Sequence, residues 1–146
     1  EASRSDRDLK RGFGGIVDVE FLVQLLQLKY GRERPGLRTP NTRAALQAAR
    51  EAGLLSETES ATIRGGYDFL RSVQSRLRIV HNRSLDELPE TTEELEKFAR
   101  RLGWEATSDG RAADRFLQEL EQHTSQTRAL FLYLLAREQS SPSGGS

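Results

Sequence analysis

The residues whose types and spacing suggest chemistry are concentrated near the start of the chain. Lys10-Arg11-Gly12-Phe13-Gly14-Gly15-Ile16-Val17-Asp18-Val19-Glu20-Phe21 sets two cations, three glycines and two carboxylates within twelve residues. A glycine-rich loop that opens a helix can bring backbone N–H groups close to a phosphate, and Lys10 and Arg11 stand beside it. Acidic groups at the mouth of an otherwise apolar helix are costly unless something pairs with them. Two readings follow for Asp18. It caps the helix and complements its dipole, or it faces a cleft with Glu20 and touches a metal, a hydroxyl or a partner domain. The loop reads likewise either as a simple tight turn or as a phosphate contact made by Lys10, Gly12, Gly14 and Gly15. It is neither a Walker loop nor a dinucleotide fingerprint, both of which need a preceding strand. Glu20, Gln24 and Gln27 follow at i, i+4 and i+7, one polar stripe on an apolar helix.

Elsewhere the chemistry is sparser. The third helix carries Arg64, Arg71, Arg76 and Arg78, with Arg83 just beyond its expected end, and Arg71, Ser75 and Arg78 share one face. That row reads as a solvated basic face paired with neighbouring acids, or as a row facing an anion. His81 and His123 are isolated and have no ligand partner at metal spacing. With no cysteine, disulfides and thiolate chemistry are excluded, and the composition fits a cytoplasmic protein. The Gly-Ser and Asp-x-Asp pattern that holds the metal ions of a nucleotidyltransferase is missing. Asp6 and Asp8 have the spacing but lie in a charged, strandless segment.

Helices must position these groups, because apolar residues recur at helical period and strand alternation is nearly absent. The spacing predicts an all-α bundle of about five helices. The first runs from about Val17 to Tyr30, apolar nearly all round as in a central helix, and stops at Gly31. Thr39 as N-cap and Pro40 at the first position open a second, which ends at Ala52. A Ser56/Glu59 capping box opens a third, reaching about Asn82, with Ile63, Tyr67, Leu70, Val73, Leu77 and Val80 inward. Gly65-Gly66 inside it predicts close packing or a bend. A fourth spans about Thr92 to Leu102, with Trp104 packing at the corner after it and a turn at Asp109-Gly110. A fifth runs from about Arg111 to Arg137, with Phe116, Leu120, Thr127, Leu130 or Phe131, and Leu134 inward.

The expected organisation is a polar lead-in over 1–15, a helical domain over 16–138 and a compositionally disordered Ser/Gly/Pro tail over 139–146. The 146 residues suffice for one domain with a real core. Lys plus Arg and Asp plus Glu are 22 each, which argues against nucleic acid as a partner. No run is apolar enough to be a membrane span, and the charged opening lacks the apolar core of a signal peptide. That opening reads as the interior of a longer protein.

The run from Lys10 to Gln24, KRGFGGIVDVEFLVQ, resembles the segment that follows the nucleotidyltransferase domain in the glutamine synthetase adenylyltransferase family. The similarity continues through Leu37-Arg38-Thr39-Pro40-Asn41-Thr42, Gly53 to Ser56, Tyr67 to Arg71, Arg76 to Arg78 and Arg83 to Pro89, covering about Lys10 to Ala136. The PII uridylyltransferases share the glycine loop and the Asp, but typically carry His where Glu20 stands. Arg83 to Pro89 is more similar to the adenylylating half of the family's enzymes than to the adenylyl-removing half. Phe13 and Val17 stand where the family often has a small loop residue and Arg.

The resemblance implies a parent enzyme that moves AMP from ATP to a tyrosine of glutamine synthetase, with Mg²⁺ held by an upstream catalytic domain, and that removes it by phosphorolysis. It implies that this chain is a helical accessory domain, inactive alone, with Asp18 and Glu20 as accessory catalytic residues at the cleft. The upstream domain, glutamine synthetase and a PII-type regulator are the implied partners. A noncatalytic module docking glutamine synthetase or such a regulator is the alternative.

Overall fold

The computed structural model describes residues 8–10, 12, 14–81, 87–108 and 110–140, without the side chains of 80 and 81. The tail over 141–146, Asp109, Arg83 and the expected contribution of Val80 lie outside the described residues. The described residues form five α-helices, α1 Ile16–Tyr30, α2 Thr42–Glu51, α3 Glu57–His81, α4 Thr92–Arg101 and α5 Ala112–Ser140, with a 3-10 turn at Pro35–Leu37 before α2.

Local chemistry explains most of the boundaries. The Ser56/Glu59 capping box forms reciprocally: the Glu59 N–H donates to Ser56 Oγ at 3.0 Å and the Ser56 N–H to Glu59 Oε1 at 2.9 Å. Thr91 caps α4 through the Glu94 N–H. The expected start of α2 at Thr39-Pro40 is corrected. Asn41 is the N-cap, accepting from the Ala44 N–H, while Thr39 Oγ1 accepts from the Asn41 N–H and shapes the approach. Both are good cap residues, and the one two positions later satisfies the helix donor. α5 is also longer than expected. It passes Arg137 and ends at Ser140, so the tail boundary at 139 falls inside the helix. Buried Glu138 anchors that last turn (below). The described part of the lead-in is docked rather than merely polar: Leu9 is buried, and Asp8 bridges to Glu87.

Helix α5 is the spine. With 29 residues it is about 44 Å long. α3 lies antiparallel to it, with Glu59 meeting Arg137, Phe69 stacked on His123, and Gly66 against Thr127. The glycine pair therefore marks close packing. A Cβ on Gly66 would stand 2.5 Å from Thr127 Oγ1, whereas one on Gly65 would meet nothing. Of the expected alternatives Leu130 and Phe131, Phe131 is the buried one. α4 crosses the start of α5, with Phe98 edge-on to Phe116.

Glu96 is buried and aimed at the first turn of α5. It accepts from the Ala113 N–H at 2.9 Å and the Ala112 N–H at 3.2 Å, with Arg100 at 3.0 Å. A carboxylate on orphan amide donors caps the helix and complements its dipole.

Two measurements check this packing. The Ala113 N–H, then Arg100 and the Ala112 N–H, hold the Glu96 carboxyl below its ordinary value of 4.5 against the opposing effect of burial. A depressed folded-state value stabilises above the unfolded value, and that stability is lost as pH falls through it. Urea midpoints of the wild type should therefore fall on acidification below about pH 4.5, and Glu96→Gln should be less stable at pH 7 with a flatter acid limb. Parallel profiles would remove the cap. Gly66→Ala should cost about 1–3 kcal/mol by overpacking, and Thr127→Ala in the same chain should recover most of it.

Candidate functional site

The glycine–acid motif sits where α1 starts alongside α5. The two helices run in the same direction, and their contacts advance together: Gly14 on Thr124, Asp18 on Arg128, Phe21 on Phe131, Tyr30 on Glu138. Gly14 has φ +74°, and a Cβ there would overlap the Thr124 carbonyl of α5. Only glycine satisfies both the left-handed backbone and this approach. The Gly14 N–H donates to Asp18 Oδ2 at 2.7 Å, and Arg128 Nη1 meets the same oxygen at 3.2 Å. Asp18 thus binds loop, helix and spine at one point. The N-cap position belongs to Gly15, which makes no side-chain cap bond.

The backbone donors that a phosphate would need are directed inward. The Gly15 N–H donates to Gly12 O at 2.9 Å, Ile16 N–H to Leu9 O at 3.0 Å, and Val17 N–H to Lys10 O at 2.9 Å. Gly12, Gly14 and Gly15 are buried, and the half-buried Lys10 gives its own N–H to Asp8 Oδ1. The folded loop is therefore a fastening between α1 and α5. Among the described residues, no group of three His, Asp or Glu side chains could hold a metal ion.

The polar stripe divides. The Gln27 side-chain amide donates to the Leu37 and Thr39 carbonyls at 2.7 and 2.9 Å, pinning the loop before α2. Gln24 is exposed and Glu20 half-buried, and among the described residues Glu20 has no ion-pair partner. Glu20 and Asp18 are both half-buried, but only Asp18 is tied into the seam.

The expectation of a central, enclosed α1 is corrected on one face. Ile16, Val19, Leu22, Val23 and Leu26 are buried, yet Val17 is 39% exposed, Phe21 49% and Leu28 87%. With Gln24 they lie at i, i+4, i+7 and i+11, a single uncovered stripe next to Glu20. α5 touches it only at the edge of Phe21, through Phe131, while α2 and α3 occupy the other sides of α1. Single exposed apolar residues are ordinary, whereas an aligned set on a helix apolar all round is an interface pattern.

Sequence reasoning did not find the residues that hold the far end of α1. Lys29 Nζ lies 3.2 Å from Glu138 Oε1 and bonds the Glu138 carbonyl, and the Tyr30 hydroxyl donates to Oε1 at 2.6 Å. Arg137 ties Glu138 to Glu59 and to the Leu54 carbonyl. Arg128 was also missed. Nothing local distinguishes it from other helix-face arginines.

Variants of the seam give a direct check on stability. Gly14→Ala should lose about 2 kcal/mol or more, from left-handed strain and overlap with fixed backbone. Asp18→Asn keeps an acceptor for the Gly14 N–H and should cost only about 1 kcal/mol. Tolerance of Gly14→Ala in thermal unfolding would contradict the fastening.

A family model described as GlnD PII-uridylyltransferase matches residues 1–135. A bifunctional glutamine synthetase adenylyltransferase/adenylyl-removing enzyme of Streptomyces coelicolor is 42% identical over 107 residues, 73% of this chain and 11% of the relative. That of Rhizobium meliloti is 35% identical over 127 residues, 86% of this chain and 13% of the relative. That of Xanthomonas axonopodis pv. citri is 38% identical over 120 residues, 79% and 13% of the two chains. The chain thus spans 11 to 13% of the length of these relatives. The match of the GlnD PII-uridylyltransferase model over residues 1–135, with relatives 35 to 42% identical over 73 to 86% of the chain, establishes that the chain belongs to the glutamine synthetase adenylyltransferase branch of that family.

Proposed function

We propose that this chain is the helical accessory domain of a glutamine synthetase adenylyltransferase, and that the bare stripe of α1 docks the upstream nucleotidyltransferase domain. The observation that carries the reading is the exposure of Val17, Phe21 and Leu28 on a helix otherwise packed on every side. Burying them against a second domain would stabilise the contact by roughly 1–2 kcal/mol per side chain. The relatives' length, far beyond this chain, supplies room for such a domain.

In the intact enzyme the reaction would transfer AMP from ATP to a tyrosine of glutamine synthetase, and Mg²⁺ would be held by the catalytic domain. This chain's residues would work by position. Asp18, Gly14 and Arg128 fix the start of α1 against α5, and the Lys29–Glu138 contact fixes its end. Glu20, beside the stripe, would be the carboxylate presented to the catalytic cleft, where it could orient a cation or a hydroxyl. The occupied amides of the loop favour positioning over direct phosphate contact. A PII-type regulator, if one binds, and the cytoplasmic setting belong to the same proposal. So does assignment to the adenylylating half.

The test is adenylylation of glutamine synthetase by the full-length protein with labelled ATP and Mg²⁺. Leu28→Ser, at the most exposed position of the stripe, should leave the stability of this domain unchanged and lower kcat/KM at least tenfold, about 1.4 kcal/mol. Glu20→Ala should lower kcat by about two orders of magnitude if the carboxylate serves the chemistry. A stripe effect without a Glu20 effect would make the domain a scaffold, and no effect of either would refute the reading.

A further inference from the structure

Asp18 and Phe21 lie three residues apart on α1, and Arg128 and Phe131 three apart on α5. Residues at that spacing are neighbours on one helix face, and the two helices run the same way, so the pairs meet as two rungs. The first is ionic, Arg128 Nη1 to Asp18 Oδ2 at 3.2 Å. The second is aromatic: the Phe21 and Phe131 ring centroids are 6.1 Å apart and the rings stand at 67°, an edge-to-face contact. The rungs are themselves joined. The Arg128 guanidinium lies over the Phe131 ring, its Cζ 5.5 Å from the centroid, as a cation–π contact. One arginine therefore holds the carboxylate of one rung and a ring of the other.

The two rings differ in burial. Phe131 is 7% exposed and belongs to the core, whereas Phe21 is 49% exposed. One side of the Phe21 ring serves the fold, and the other opens onto the α1 stripe between Val17 and Leu28. Fixing the start of α1 does not call for that outer half, since Gly14, Asp18 and Arg128 already do so. Leu28, 87% exposed, leans on almost nothing, so Phe21 is the braced member of the stripe. A large ring supported from behind and open in front suits an interface anchor. Aromatic anchors carry much of the energy of an interface, and a side chain already held in place loses little freedom when a partner closes over it.

We propose that Phe21 is the anchor of the interdomain contact, and that Phe131 and Arg128 are positioning residues that hold its ring ready. The proposal rests on the function above: the occupant is the upstream nucleotidyltransferase domain, which would cover the outer half of the ring with an apolar surface. Arg128 then has two duties. It closes the seam through Asp18 and sets Phe21 through Phe131.

Two measurements on the full-length protein test this. A photoreactive p-benzoylphenylalanine at position 21 should cross-link to the nucleotidyltransferase part of the same chain. Cross-links confined to the helical domain, or made to glutamine synthetase or a second copy, would overturn the proposal. The second measurement is a double-mutant cycle on kcat/KM for adenylylation, each variant assayed well below its thermal midpoint. Phe21→Leu and Arg128→Gln should each lower kcat/KM about fivefold, and the double variant should lose no more than about twofold beyond either one. Arg128→Lys keeps a cation for Asp18 and gives up the planar guanidinium, and serves where Arg128→Gln does not fold. It should show the same coupling at about two- to threefold. Losses that simply multiply would make Arg128 a structural residue only and overturn its positioning role. If Leu28→Ser lowers kcat/KM while Phe21→Leu does not, the docking reading stands and the anchor falls. If neither variant matters, both fall.

Discussion

The arrangement depends on how closely the loop before α1 can approach the spine. At Gly14 the backbone of one segment rests on the backbone of the other, with no side chain between them. Asp18 then converts that contact into a fixed geometry, since one oxygen accepts from both the loop amide and Arg128. Remove the approach and the ion pair cannot form; remove the ion pair and the approach has nothing to hold it. The direction of α1, and with it the side on which Phe21, Leu28 and Glu20 emerge, follows from this one junction.

The same principle recurs on the neighbouring flank of α5, where Gly66 lets α3 settle onto Thr127. The Thr127 hydroxyl oxygen is buried there without a hydrogen-bond partner among the described residues. Close helix contact takes precedence over satisfying that hydroxyl, whose desolvation is a modest cost beside the packing of Ile63, Tyr67 and Leu70 next to it. Carboxylates do the remaining fastening. Glu96, Asp18 and Glu138 each leave water and each meet donors from a second element. Buried charge is tolerable on those terms and defines which helix ends belong together.

The helices were legible because their signals are local. The Ser56/Glu59 box, the apolar row of α3 and the turn after α4 depend on residues within four positions of one another. Asn41 prevailed over Thr39 because two good caps stood two residues apart, and only the ladder decides between them. The importance of the glycine–acid motif was legible too, but its role was not. Asp18 lies 110 residues from Arg128, and no spacing rule connects them. The open face of α1 was hidden for a different reason: apolar residues all round a helix look the same whether the last side is covered by the same domain or left for another.

The parallel run of α1 and α5 has a consequence for synthesis. Helices pointing the same way cannot be joined by a short turn, and here every contact between them spans about 110 residues. Such pairings close late, because the intervening chain must be ordered first. A nascent chain therefore carries α1, among its most apolar segments, without its fastening until Arg128 has left the ribosome. During that interval both the stripe and the face destined for the core are open to other chains. The antiparallel pair of α3 and α5 and the local α2–α3 contacts can form without α1. The helix that presents the interface is accordingly among the last to be secured, and yield in expression should be more sensitive to the seam than to the rest of the bundle.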